Sequence, residues 1–177
     1  VTLHRAETVD YKEKLEEFIK ALVKLSESYE IIFPIHPRTF KMVERFGFSE
    51  MLKSKKSIQL IEPVGYFDFL AFLDNAALLL TDSGGALKES TAYKVPTILY
   101  SDKWPDTEGR DVFWKLSGYS SKSVLSLASQ LVSHEFKDSL KSLASPFGDG
   151  KSSQRLLEIT ENVFKNGGLK IPESDAE

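Results

Sequence analysis

The chain has no cysteine among its 177 residues. Disulfides and thiolate metal sites are therefore excluded, and the composition fits a reducing compartment. Long apolar runs are also missing. No stretch approaches the roughly 20 residues that span a bilayer, and no segment carries a signal-peptide pattern, so the reading is a cytoplasmic protein with no membrane partner. Positive charge is scarce as well. Lys and Arg number 23 against 26 Asp and Glu, for a net charge of −3 and a pI near 5.7. That balance argues against a nucleic-acid surface, so an anionic ligand would have to be held by a few local donors. Neither a metal-ligand spacing nor a Ser/His/Asp arrangement is present, and no metal or cofactor is expected.

What remains is an ordinary globular composition, with 41% hydrophobic and 28% charged residues, enough for one packed domain. The expected division is a domain over residues 1–165 and a polar, frayed tail over 166–177. Val1-Thr2-Leu3 opens the chain directly in a strand-like run, which reads as part of something longer. Strand and helix patterns then alternate. Leu15, Phe18, Ile19, Leu22 and Val23 form one apolar stripe within a helix over about 9–28. Strands are expected at 31–35, 57–61, 77–80, 96–100 and 113–116. Helices are expected at 38–53, 66–75, 84–93, 123–133 and 151–164. This alternation gives right-handed βαβ units and therefore an α/β fold, a doubly wound and mostly parallel sheet covered on both faces.

In such a sheet, ligands bind beyond the carboxyl ends of the strands, where the crossover direction reverses. The chemically distinctive residues fall at those ends: His4-Arg5, His36-Pro37-Arg38, Glu62-Pro63 with Tyr66 and Phe69, Ser83-Gly84-Gly85, and Ser101 to Pro105. The most informative is Thr81-Asp82-Ser83-Gly84-Gly85, which follows the apolar run Ala76–Leu80 and precedes a helix. A strand that breaks into a glycine turn and a helix gathers unpaired N–H groups at one point. Two residues without Cβ then let a phosphate oxygen approach the backbone. Taken singly, each of these residues has a plain structural explanation; Phe69 fits a core aromatic as readily as a ligand contact. Their shared rim is what suggests a site.

The segments Thr2–Glu7 (TLHRAE), Pro34-Ile35-His36-Pro37, Tyr66-Phe67-Asp68-Phe69, Thr81–Gly85 with Glu89 and Lys94-Val95-Pro96, and Pro146–Ser153 together resemble the non-hydrolysing UDP-N-acetylglucosamine 2-epimerases of the two-domain GT-B group. The resemblance runs from the first residue to about Ile159 and matches only the second half of that family's chain. It implies a Rossmann-like half that holds UDP. Ser83, Gly84 and Gly85 would meet the diphosphate, with His4, Arg5 and His36 beside it. Glu89 would accept from the ribose hydroxyls and Phe69 would lie on the uracil. His4 would also be the catalytic group offered by this half. The resemblance further implies a UDP-sugar substrate, a missing N-terminal domain that carries most of the acid–base groups, and a full-length homodimer.

After the fifth strand the pattern departs from the family. Where a Thr-Glu-Arg-Pro-Glu run is expected, this chain has Asp102-Lys103-Trp104-Pro105-Asp106. Anchoring on the proline puts Trp104 in the arginine's place, a shifted alignment offers Arg110, and Lys103 is a third cation. Four functions follow. The parent protein is an epimerase interconverting UDP-GlcNAc and UDP-ManNAc, a hydrolysing relative, a GT-B glycosyltransferase, or a non-catalytic nucleotide-sugar module. The fragment alone is expected to turn over nothing.

Overall fold

The computed structural model describes residues 1–104 and 107–167. It divides into two compact units, the first Val1–Pro146 and the second beginning at Phe147. The first unit is a parallel sheet with helices. Strands β1 (Ile31–Pro34) and β2 (Ile58–Ile61) pair in parallel, as do β3 (Leu79–Thr81), β4 (Thr97–Leu99) and β5 (Trp114–Leu116) in the order β3-β4-β5. Residues 1–3 join the two sets. The Val1 nitrogen donates to the Ile32 carbonyl at 2.8 Å, and the Thr2 N–H donates to the Leu80 carbonyl at 3.0 Å, with Thr2 and Thr81 forming a parallel bridge. The spatial order is thus β2, β1, residues 1–3, β3, β4, β5. The chain winds outward in one direction to β2 and then in the other from β3, so the reversal lies between residue 3 and β3.

Helix α1 (Ala6–Val9) is followed by α2 (Lys12–Leu25), and the single helix expected over 9–28 is divided at Tyr11, whose backbone is extended. Arg38 holds the bend by donating to both oxygens of Asp10, at 3.0 and 2.6 Å. The expected stripe of α2 is buried at Leu15, Phe18, Ile19 and Leu22, with Ala21 beside them and Val23 only partly covered. Each such aliphatic or aromatic burial contributes about 1.5–3 kcal/mol. The helix expected over 38–53 is also divided, into α3 (Pro37–Arg45) and α4 (Ser49–Lys53). Gly47, at φ +78°, closes α3 in a Schellman turn: its N–H reaches the Glu44 carbonyl and the Phe48 N–H reaches that of Val43.

Helices α5 (Tyr66–Asp74), α6 (Gly84–Ala92) and α7 (Ser121–Leu131) fall close to expectation. Helix α8 (His134–Lys141) does not. His134, which lies between the helices expected at 123–133 and 151–164, is its first residue. The Ser133 hydroxyl accepts from the Phe136 N–H at 3.2 Å, and Leu140 is fully buried.

In the second unit, α9 (Ser152–Lys165) starts one residue later than expected. Asp149 does not cap it. Its carboxylate instead accepts from the Lys151 N–H and from both terminal nitrogens of Arg155, at 2.8 and 2.7 Å. The expected tail lies largely outside the described residues, as do Pro105 and Asp106.

Candidate functional site

The site grows from the end of β3. Leu79 and Leu80 are buried, as apolar strand positions at the centre of a sheet must be, Thr81 is buried with its hydroxyl paired to that of Thr2, and the strand stops at Asp82. Ser83 is the N-cap of α6. Its backbone is extended, its hydroxyl accepts from the Ala86 N–H at 3.4 Å, and its own N–H donates to the Thr81 Oγ1 at 2.9 Å. Among the described residues, the N–H groups of Gly84 and Gly85 find no acceptor. These two amides are the unpaired donors that the glycine turn implies, at the positive end of the helix dipole.

Asp82 draws the other side of the reversal onto this turn. Its carboxylate is fully buried and accepts from the His4 N–H at 3.1 and 3.2 Å and from the Arg5 N–H at 2.9 Å. The His4 Nδ1 lies 3.5 Å from the same carboxylate. Burial pushes the Asp82 carboxyl above its ordinary range, while the Arg5 and His4 amides and the two side chains pull the other way. Thr2 and Thr81 add a hydroxyl pair at 2.5 Å, and the Thr39 hydroxyl donates to the Leu3 carbonyl. His36 caps α3, its Nδ1 accepting from the Arg38 N–H at 3.1 Å, which leaves Nε2 to carry the proton of the neutral ring. The rings of His36 and His4 stand 5.9 Å apart.

Trp104 completes the cluster. A Cβ placed on Gly84 would lie 2.5 Å from its Cζ2 and 2.9 Å from its Cη2, so only glycine admits the indole here. The Arg5 guanidinium covers the same ring at 4.6 Å from the centroid, and its Nη1 reaches Glu7 at 3.1 Å. Among the described residues, two buried side-chain nitrogens lack a partner, Arg5 Nε and Trp104 Nε1. A buried donor without an acceptor costs about 1–3 kcal/mol.

The remaining expected residues spread out from this centre. Glu89 lies farther along α6, beside the Tyr66 hydroxyl, whose deprotonation its charge disfavours, so the phenol pKa is raised. Phe69 is half-buried against the cluster of Leu73, Leu79, Ala86 and Val95. It also lines an apolar cavity of about 420 Å³ with Val1, Ile32, Phe72 and Leu80, a cavity that Ser83, Gly84, Gly85 and Glu89 do not line. Arg110 precedes β5, half-exposed, with its Nε 3.9 Å from the Asp111 carboxylate. Among the described residues its contacts do not reach the turn at Ser83. Lys103 is exposed on the loop that carries Trp104. Tyr66 was expected at the rim without a partner, whereas the role of Asp82 and the placement of Trp104 on Gly84 were not foreseen. The position of Asp82 inside Thr-Asp-Ser-Gly-Gly was the available signal, since a carboxylate at a buried strand end needs donors from elsewhere.

The structure thus brings free amides, two histidines and an arginine together at the reversal of a doubly wound parallel sheet, and the sheet with its covering helices defines an α/β protein. The chain belongs to the UDP-N-acetylglucosamine 2-epimerase family, whose model matches residues 1–161. It is 40% identical over 161 residues to the UDP-N-acetylglucosamine 2-epimerase of Methanocaldococcus jannaschii, covering 90% of this chain and 43% of that protein. Identity to the UDP-2,3-diacetamido-2,3-dideoxy-D-glucuronate 2-epimerase of Pseudomonas aeruginosa is 31% over 162 residues, 89% of this chain and 42% of the other. The crystal structure of the M. jannaschii enzyme in complex with UDP-GlcNAc and UDP superposes with a TM-score of 0.79 at 36% identity, covering 91% of this chain and 44% of that one. The fold is that of one GT-B half, and the chain spans under half the length of the relatives it matches. No helix among the described residues is long and apolar enough to cross a membrane.

Proposed function

We propose that this chain is the UDP-binding half of a UDP-N-acetylglucosamine 2-epimerase that interconverts UDP-GlcNAc and UDP-ManNAc. The observation that carries this reading is the pair of unpaired amides at Gly84 and Gly85, brought by Asp82 beside His4 and Arg5. The M. jannaschii relative in complex with UDP-GlcNAc and UDP supports it.

In this reading the diphosphate sits on the Gly84 and Gly85 amides and the Ser83 hydroxyl, which keeps its proton free to donate while accepting from Ala86. A helix terminus alone stabilises an anion by about 0.3–1 kcal/mol, so the cation of Arg5, with His4 and His36 nearby, supplies the larger share through charge-assisted bonds. Glu89 accepts from the ribose hydroxyls, with Tyr66 orienting its carboxylate. Phe69 offers a face to the uracil, and Arg110 takes part on the sugar side.

The reaction removes the proton on C2 of the sugar and breaks the C1–O bond, the electron pair leaving with UDP. A C1=C2 glycal remains, and the UDP oxygen adds back to C1 as a proton is delivered to the opposite face of C2, which inverts that centre. Stabilising the departing diphosphate is an electrostatic task suited to fixed amides and a stacked guanidinium. His4, on the exposed side of Asp82, is the group this half offers to proton transfer. The other acid–base groups belong to the partner domain of the full protein, which we take to act as a homodimer. The absence of cysteine fits a cytoplasmic enzyme. The P. aeruginosa relative favours a second reading in which the same half serves a different UDP-sugar.

Thermal unfolding of the chain with and without UDP tests the proposal. A ligand held by the folded form alone stabilises it by RT ln(1 + [L]/Kd), about 2.7 kcal/mol at one hundred times Kd. A rise in Tm with UDP, and no C2 epimer from UDP-GlcNAc in the NMR spectrum, are expected. An unchanged Tm at millimolar UDP would overturn the binding role, and epimer formation by these 177 residues would overturn the need for a second domain.

A further inference from the structure

The structure assigns Trp104 a role beyond packing: we propose that its indole N–H donates to the diphosphate, making Trp104 a specificity-determining residue that separates a nucleoside diphosphate from the bare nucleoside. The inference rests on the UDP reading above and adds a donor to it.

Three observations converge on this residue. Its ring edge lies against Gly84, the first residue of α6, at a distance that excludes any other side chain there. Its Nε1 is buried and without a partner among the described residues. The Arg5 guanidinium stacks on the same ring, and Arg5 Nε is the other buried nitrogen in that condition. A cation and an indole, each with one unanswered donor, therefore form one stack resting on a turn whose own Gly84 and Gly85 amides are free. Every member of the cluster gives a proton to a hydrogen bond and none accepts one. The chemistry that answers four such donors is an oxygen-rich anion with more than one acceptor, which a diphosphate is and a nucleoside is not. Trp114, the other tryptophan, shows the contrast. It is fully buried, and its Nε1 donates to the Glu108 carbonyl at 2.8 Å.

The test compares Trp104→Phe with the unaltered chain. Phenylalanine keeps an aromatic ring for Arg5 to cover but removes the N–H together with part of the ring surface against Gly84, and the uridine arm separates the two, since a general loss of packing weakens both ligands alike. Calorimetry with UDP and ligand-observed NMR with uridine are the two readouts. Trp104→Phe is expected to weaken UDP binding about tenfold, the size of one lost hydrogen bond to a charged group, while uridine binding stays unchanged. Equal UDP affinity in both proteins, or an equal loss for UDP and uridine, would overturn the role of Trp104 and leave the UDP reading standing. No UDP binding by the unaltered chain would sink both. Should the variant fail to fold, tryptophan emission of the unaltered chain decides. Because Trp114 is sealed in the core, a change on adding UDP but not uridine arises at Trp104, and its absence overturns the proposal.

Discussion

Asp82 stands at the point where one residue decides the most. Its carboxylate is out of water and would be costly there without donors, and the His4 and Arg5 amides from the far end of the sequence supply them. Asp82→Ala leaves both amides unanswered. We predict a loss of about 2–4 kcal/mol in a denaturant melt, together with loss of the UDP-induced Tm shift. Asp82→Asn keeps an acceptor and removes the burial of charge, so its loss should be smaller than that of the alanine variant. Equal stability of Asp82→Ala and the unaltered chain would show that the carboxylate fastens nothing. At this scale the sequence was partly readable. Ser83, Gly84 and Gly85 announce themselves by spacing, and His4, Arg5 and His36 by their strand-end positions. Trp104 was legible as part of a strand-end loop and as a departure from a family pattern, but its position on Gly84 was not, because it depends on a loop that no local propensity fixes.

Among the elements, the tie between α2 and α7 makes a pH-sensitive joint. The Glu17 carboxylate accepts from the Ser121 hydroxyl at 2.6 Å and its N–H at 3.0 Å, answering an amide in the first turn of α7. Those two bonds, the hydroxyl's first, with Lys20 adding less, pull the Glu17 pKa from 4.5 to about 2. A carboxyl whose folded pKa is depressed contributes stability that is complete above its unfolded value. That contribution is lost as pH falls from about 4.5 toward about 2. With a third of the side chain exposed, solvent screening holds the effect to under about 1 kcal/mol. Glu17→Gln should flatten the acid limb of the stability profile, read as denaturation midpoints between pH 6 and pH 3, and an unaltered slope would refute the joint. Elements with strong apolar periodicity, such as α2, were legible in kind and nearly in extent. Their interruptions were not. Tyr11 is held extended beside a distant Arg38–Asp10 pair, and Gly47 ends α3 through a left-handed turn in a sequence of good helix formers. Helix α8 was hidden because its polar run shows little more than Phe136 and Leu140 as an apolar face.

For the whole molecule, alternation of strands and helices gave the winding rule, and the rule pointed to the strand ends where His4, Arg5, His36 and Ser83 fall. The seam of that sheet has a consequence for how the chain finds its shape. Strands β1 and β2 are close in sequence, and so are β3, β4 and β5, so each set can gather by short loop closures. The seam joins residues 2 and 81, and must wait for a closure of 79 positions. We therefore predict that pulse-labelled hydrogen exchange during refolding will protect the Ile98 amide before that of Thr2, with simultaneous protection counting against this order. A molecule caught between those events would hold two finished half-sheets with His4 and Arg5 still away from Asp82, so that the turn at Ser83 gains its neighbours only once the last stitch is drawn.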